Sequence, residues 1–173
     1  MKRNLKNYIL CSALFLLVFT SCKKDKDNPD ASGTISVSID GTPNTFNVEA
    51  KAVQTSVSGG YGITVQGYKK DPAESQTNLS FSITSPDPIT AKTYVENTGG
   101  NPLIVMTYFL DVVLGVGTTA TNYGSTKHPL TITITNITSS TTKGTFSGEL
   151  SYTDINGNPA KNLLSNGTFN VNF

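Results

Sequence analysis

His128 is the only histidine in the chain, and Pro129 follows it where a loop gives way to a strand. A lone imidazole cannot build a multi-histidine metal site. As the base of a Ser–His–Asp set it would need partners, and no nucleophile-elbow pattern supplies them. His128 therefore reads as a surface or turn residue. The main carboxylates between the turns are Glu49, Glu74, Asp87, Glu96, Asp111 and Glu149. Glycoside hydrolysis needs two of them roughly 5–9 Å apart across a sugar. Glu49 alternates with Val48 and Ala50, and Glu149 falls on the polar side of its strand, so both are expected to face outward. Asp111, inside an apolar run, is the exception and reads as a strand end or bend. Asp154, Asn156 and Asn158 alternate as calcium ligands do, but the bidentate Glu that closes such a loop is missing, so a plain hairpin turn is expected. Gly115-Val116-Gly117 and Gly59-Gly60-Tyr61-Gly62 open no helix that could cradle a phosphate. Among the aromatics there is no tryptophan. Tyr68, opposite the apolar side of its strand, and Tyr123, in a Thr/Asn-rich loop, are the candidate ligand contacts; a tyrosine half-buried at a strand end is the plainer account of each. No catalytic set, metal site or cofactor is expected.

A different chemistry is written near the start. Lys2, Arg3 and Lys6 precede an almost unbroken apolar run from Tyr8 to Thr20, then Ser21 and Cys22. The run is about 13 residues, short of the roughly 20 that span a bilayer, and has the shape of an export signal. Phe19-Thr20-Ser21-Cys22 resembles the lipobox of bacterial lipoproteins, with Phe19 where leucine is usual. The resemblance implies a diacylglyceryl group on the Cys22 thiol, cleavage before it and acylation of the new amine. Two or more acyl chains anchor a protein stably at about 0.8 kcal/mol per buried methylene, so the membrane becomes a partner through lipid on Cys22. An Asp after the cysteine favours the inner membrane in enterobacterial lipoproteins. Here Lys23 stands in that position, and an outer-membrane address is expected. The Lys23-Lys24-Asp25-Lys26-Asp27 tract resembles that of surface-displayed lipoproteins of the Bacteroidota, which implies the extracellular face over a periplasm-facing orientation.

Composition narrows the rest. Loss of residues 1–21 removes Arg3, the only arginine, and leaves ten lysines against twelve carboxylates. Arginine is the preferred fork for phosphate and guanine edges, and scattered lysines make no basic stripe; nucleic acid is not an expected partner. Cys11 leaves with the signal and Cys22 carries lipid, so the folded part has neither thiol nor disulfide. Its stability must come from its core. Residues 22–32, charged and aperiodic, read as a disordered tether, and residues 33–173 as one domain.

From Thr34 the hydrophobic period is two, the sign of half-buried strands. Ile35, Val37 and Ile39 alternate with Ser36 and Ser38; in Asp40-Gly41-Thr42-Pro43 glycine allows positive φ and proline is expected to stop the ladder. Phe46, Val48, Ala50 and Ala52 are expected on one face of a second strand. Tyr61, Ile63 and Val65 share a face, as do Leu79, Phe81 and Ile83, whose strand ends at Pro86 and Pro88; Thr93-Tyr94-Val95 reads as a short strand. Leu103–Leu114 is the most apolar stretch. Its β-branched and aromatic residues favour a strand buried on both faces, with a helix left open. Residues 115–125 read as loop, with a strand near Ala120–Tyr123. Leu130, Ile132 and Ile134, then Phe146, Gly148, Leu150 and Tyr152, then Phe169, Val171 and Phe173 complete the pattern, and the last strand is expected to be held in a sheet.

Eight to ten close-spaced strands without an amphipathic helix predict an all-β fold, an antiparallel β-sandwich of jelly-roll type, with a closed or partly open β-barrel as the alternative. The strand, Asp-Gly turn and Phe of Thr34–Phe46, with Gly144-Thr145-Phe146 and Asn166-Gly167-Thr168-Phe169, resemble an uncharacterised Bacteroidota lipoprotein family, a domain of unknown function with a C-terminal Gly-Thr-Phe motif. The resemblance implies no activity and no catalytic residues. In both copies of the motif glycine is expected to open the strand, threonine to face out and phenylalanine to enter the core. Function is expected to be that of a lipid-anchored, non-catalytic interaction or structural module, with an envelope protein or glycan as partner. The alternative is a glycan or small-ligand binding protein that uses loop tyrosines.

Overall fold

The computed structural model describes residues 33–57, 59–70, 72–97, 100–113, 116–122 and 127–173. They form eleven strands: β1 (Thr34–Ile39), β2 (Thr42–Phe46), β3 (Val48–Val57), β4 (Gly60–Tyr68), β5 (Asn78–Ser85), β6 (Thr93–Val95), β7 (Leu103–Val113), β8 (Val116–Thr121), β9 (Thr131–Ile137), β10 (Thr141–Thr153) and β11 (Pro159–Asn172). The protein is all-β, as the period of two demanded. All eleven strands belong to one sheet, in the order β2-β1-β11-β3-β4-β5-β7-β8-β10-β9-β6, with β11 also paired to β10.

That extra pairing bends the sheet back on itself. β10 and β11 run antiparallel along nearly their whole lengths, from Thr141↔Asn172 to Thr153↔Pro159. Their other edges are shared out. β1 lies along residues 164–170 of β11 and β3 meets it at Asn172↔Lys51; β9 lies along residues 142–147 of β10 and β8 meets it at Ser151↔Thr121. The pairings thus form a circuit through β3, β4, β5, β7, β8, β10 and β11, with two one-pair junctions. A sandwich and a partly open barrel both accord with this arrangement. The β11–β3 contact is parallel, so the sheet is mixed and not wholly antiparallel.

Inside the circuit sits one core. Ile35, Phe46, Ile63, Leu79, Phe81, Ile83, Met106, Ile132, Ile134 and Leu150 are among its fully buried side chains. Each such side chain is worth roughly 1.5–3 kcal/mol over an exposed one. Phe81 is central, with the rings of Phe146 and Phe169 at 6.0 and 5.1 Å from its own.

Asp40 (φ 50°) and Gly41 (φ 81°) form a two-residue turn between Ile39 and Thr42, as the Asp-Gly pair favours. Pro43, however, does not stop the ladder: it pairs with Ser38 inside β2. β2 ends the strand order, and an edge strand tolerates a missing N–H. Phe46 and Val48 belong to separate strands, and Glu49 (φ 49°) forms a bulge that returns Ala50 to the interior. Residues 103–113 are strand, not helix, but they are not buried on both faces. Ile104, Met106 and Tyr108 point inward, whereas Leu103 and Val105 remain 51% and 41% exposed. Most of the stretch expected as loop after Gly115 is strand β8.

The C-terminal strand contains the largest surprise. Inward residues of β11 are Leu164 and then Gly167, Phe169 and Val171, a change of parity. Asn166 (φ 53°) supplies the extra residue, since both β1 and β10 shift register across it. A bulge of this kind moves the following side chains to the other face. The chain end is held by the sheet, with the N–H of Phe173 donating to the carbonyl of Ser140 at 2.9 Å.

Candidate functional site

Cys22 and Tyr123 lie outside the described residues, as does the tether, and Asp111 is described only as backbone of β7. Tyr68, at the end of β4, is half-buried between Val48 and Asn78, on the side of its strand away from the core, as expected.

Four carboxylates, Asp40, Glu96, Glu149 and Asp154, are engaged by the fold itself. Asp40 accepts from the N–H of Leu163 and the amide of Asn162, both at 2.7 Å, clamping the β1–β2 turn to β11. Glu96 accepts from the N–H of Leu130 at 3.1 Å and the amide of Asn122 at 2.9 Å. Asn122, itself buried, also donates to the carbonyl of Ile104 and accepts from the N–H of Met106. Its side chain thus extends the β7 ladder beyond the end of β8. Glu149 is not the outward-facing residue the alternation suggested: it is 8% exposed. Lys161, paired with Ser151 and so diagonal to Glu149 across the strands, folds over it to make a 2.6 Å ion pair. Diagonal neighbours are within reach of a lysine stem.

Asp154 turns on its own loop. One carboxylate oxygen accepts from the N–H groups of Asn156 and Asn158 at 2.9 and 2.8 Å, and the other faces the Asn158 amide at 3.4 Å. The Asn158 N–H is the main reason its pKa lies below the ordinary 3.8; burial opposes it, and the Asn158 amide and Asn156 add to the lowering. This is the expected hairpin turn. Among the described residues no three His, Cys, Asp or Glu side chains group to hold a metal. His128 is exposed in a bend before β9, and its carbonyl accepts from the N–H of Glu149. The phenol of Tyr108 is raised above its ordinary 10.0 by burial and then by the nearby Asp40 charge, an effect of its place in the core beside Phe46.

A cleft of about 410 Å³ opens at the end of the β3–β4 hairpin, lined by Gln54, Thr55, Ser56, Tyr61, Gly62, Pro88 and Ile89. Its making can be followed residue by residue. The hairpin turns at Gly59 (φ 85°), in the left-handed region glycine reaches without strain. A Cβ on Gly60 would stand 2.5 Å from the carbonyl oxygen of Ser85, so glycine there lets the end of β5 come close. A Cβ on Gly62 would meet the Thr55 hydroxyl at 2.5 Å, so glycine also gives that hydroxyl its place. Beyond Ser85 the chain forms the opposite wall. Asp87 N–H donates to the Ser85 hydroxyl at 3.2 Å, Ile89 packs on the core, and the Tyr94 hydroxyl brackets Thr90 at 2.8 and 3.0 Å.

Tyr61 is in phase with Ile63 and Val65 but lies past the end of the core, and 44% of it is exposed. The alternation groups it with Ile63 and Val65, and the candidate contacts read from the sequence are Tyr68 and Tyr123 instead. The available signals were the Gly59-Gly60 and Gly62 pattern and the two prolines after β5, which nothing in the sequence joins. Compared with protein-family models, with curated proteins and with solved structures, the chain matches none.

Proposed function

We propose that this chain is a lipid-anchored lipoprotein of the bacterial outer membrane, displayed on the outer face, whose β-domain works by binding and not by catalysis. The observation that carries the anchor is the sequence Phe19-Thr20-Ser21-Cys22 behind its short apolar run, and the resemblance to Bacteroidota lipoproteins fits the same reading. The domain's part in the proposal is supported by how its polar groups are used. Asp40, Glu96, Glu149 and Asp154 each hold a backbone amide or a neighbouring side chain in place. These carboxylates thereby serve the fold's own turns and strand ends. The neighbour-facing partner on this reading is an envelope protein or a glycan; the Tyr61 cleft is the observation that favours a ligand.

The anchor is tested by growing cells that express the full chain with an alkyne-bearing fatty acid. The mature protein is expected to take up the label, and Cys22→Ser to lose both label and membrane fractionation. An unlabelled wild-type product would end the proposal. Protease treatment of intact cells tests the face: digestion is expected, and protection until the outer membrane is opened would place the domain in the periplasm.

A further inference from the structure

The Tyr61 cleft has a chemistry of its own. Among the described residues no Asp, Glu, Lys or Arg lines it, so none of them neutralises a charged ligand there. The polar residues that line it are uncharged: Gln54, Thr55, Ser56 and Tyr61, of which Gln54, Ser56 and Tyr61 share one face of the hairpin. Elsewhere the fold ties comparable groups to backbone, as with Asn122 on β7 and the Tyr94 hydroxyl on Thr90. Beside these neutral donors and acceptors stand the half-exposed Tyr61 ring, Pro88 and Ile89. Rigid apolar surface next to uncharged hydroxyl and amide groups suits a ligand with hydroxyls on its rim and C–H groups on its face. The cleft's size lies in the lower part of the roughly 300–1,000 Å³ range of small-molecule sites.

We infer that this cleft binds a neutral saccharide, with Tyr61 as the stacking platform and Gln54 and Ser56 as hydrogen-bonding partners of its hydroxyls. The assignment rests on the binding reading above but not on the lipid. One wall is tied back before the ligand arrives, by Thr90 held on the Tyr94 hydroxyl, which lowers the ordering cost of binding.

The test uses the full chain purified in a detergent without a sugar headgroup and titrated by calorimetry and ligand-observed NMR. The probes are neutral gluco-, manno- and xylo-oligosaccharides, with oligogalacturonate as the charged comparison. At least one neutral series is expected to bind at millimolar affinity or better, and oligogalacturonate to bind more weakly. Tyr61→Ala is expected to weaken binding about tenfold or more, as truncating a central aromatic anchor does; Tyr68→Ala leaves it unchanged. Ser56→Lys, at an exposed position, projects a long charged side chain into the cleft and is expected to abolish binding without lowering the melting temperature. No binding by any neutral series, or binding untouched by both Tyr61→Ala and Ser56→Lys, overturns the assignment. Stronger binding of oligogalacturonate also overturns it, as does loss through Tyr68→Ala alone. Fatty-acid labelling of Cys22 is read separately, so a labelled protein that binds no saccharide defeats this inference and leaves the anchor standing.

Discussion

The ring of Phe169 lies over Gly144, so close that a Cβ on Gly144 would stand 2.7 Å from its Cζ. The converse holds two residue pairs along the ladder, where a Cβ on Gly167 would stand 2.7 Å from the ring of Phe146. Both follow from register. Gly144, Thr145 and Phe146 of β10 pair with Phe169, Thr168 and Gly167 of β11, so the two Gly-Thr-Phe segments meet head to tail. Each phenylalanine covers the glycine of the other copy, and both rings close on Phe81. An aromatic ring over a cross-strand glycine shields backbone that would otherwise lack a covering side chain. The glycines therefore do not open their strands as expected; they sit within them, as seats for the rings.

Alanine at either glycine should consequently cost more than alanine in an ordinary strand. The added methyl meets a ring and also backbone, the Thr133 carbonyl at Gly144 and the Phe146 carbonyl at Gly167. Overpacking of this kind costs about 1–3 kcal/mol, and the backbone clash points to the upper end. Thr145→Ala and Thr168→Ala, on the exposed face between them, should stay within about 0.5 kcal/mol of wild type. Urea denaturation midpoints check both, and an unchanged midpoint for Gly144→Ala would show that the rings do not depend on the glycines.

Asn122 joins three partners that sequence distance keeps apart: Glu96, Ile104 and Met106. Asn122→Ala leaves the Met106 N–H and the Ile104 carbonyl without the partner they have. The expected loss is about 1–3 kcal/mol, the cost of an unsatisfied buried group. Amide exchange should quicken first at Met106. A variant as stable as wild type, with Met106 still protected, would mean that water or another group replaces the asparagine.

Asp154 gives the β10–β11 hairpin an acid limit. Its pKa is depressed in the folded state, chiefly by the Asn158 N–H. Its contribution is thus present above the ordinary 3.8 and is lost as pH falls through the lower folded value. Carbon-detected NMR should find its carboxyl titrating below 3.8, with the Asn156 and Asn158 amide shifts following the same curve. Asp154→Ala should abolish that response and hasten amide exchange at both positions. Millimolar calcium should leave the amides unmoved, because the carboxylate is already engaged by its own loop; a calcium-dependent shift there would revive the ligand-loop reading.

Much of the architecture was legible in the chain. A period of two in Ile35-Val37-Ile39, Leu79-Phe81-Ile83 and Leu130-Ile132-Ile134 reports a side chain that alternates across a half-buried strand, a property of the backbone itself. The Asp40-Gly41 turn was legible for a similar reason, since its left-handed φ values are a local preference. The inward phenylalanines and outward threonines of the two Gly-Thr-Phe segments were read from the same alternation.

The sequence by itself therefore determined the strands with an unbroken period of two, such as Thr34–Ile39 and Asn78–Ser85, their inward sides and the Asp40-Gly41 turn, because these depend on neighbours a few residues away. Only the tertiary structure decided the rest. It paired Gly144 with Phe169, let the Asn166 bulge change the face of β11, exposed Leu103 and Val105 at one side of an apolar strand, and covered Glu149 with Lys161. It also brought Gln54, Tyr61 and Pro88 to one cleft. Each of these depends on which strands lie side by side and in what register. That choice is made by the packing of the whole core, and no local window of residues encodes it.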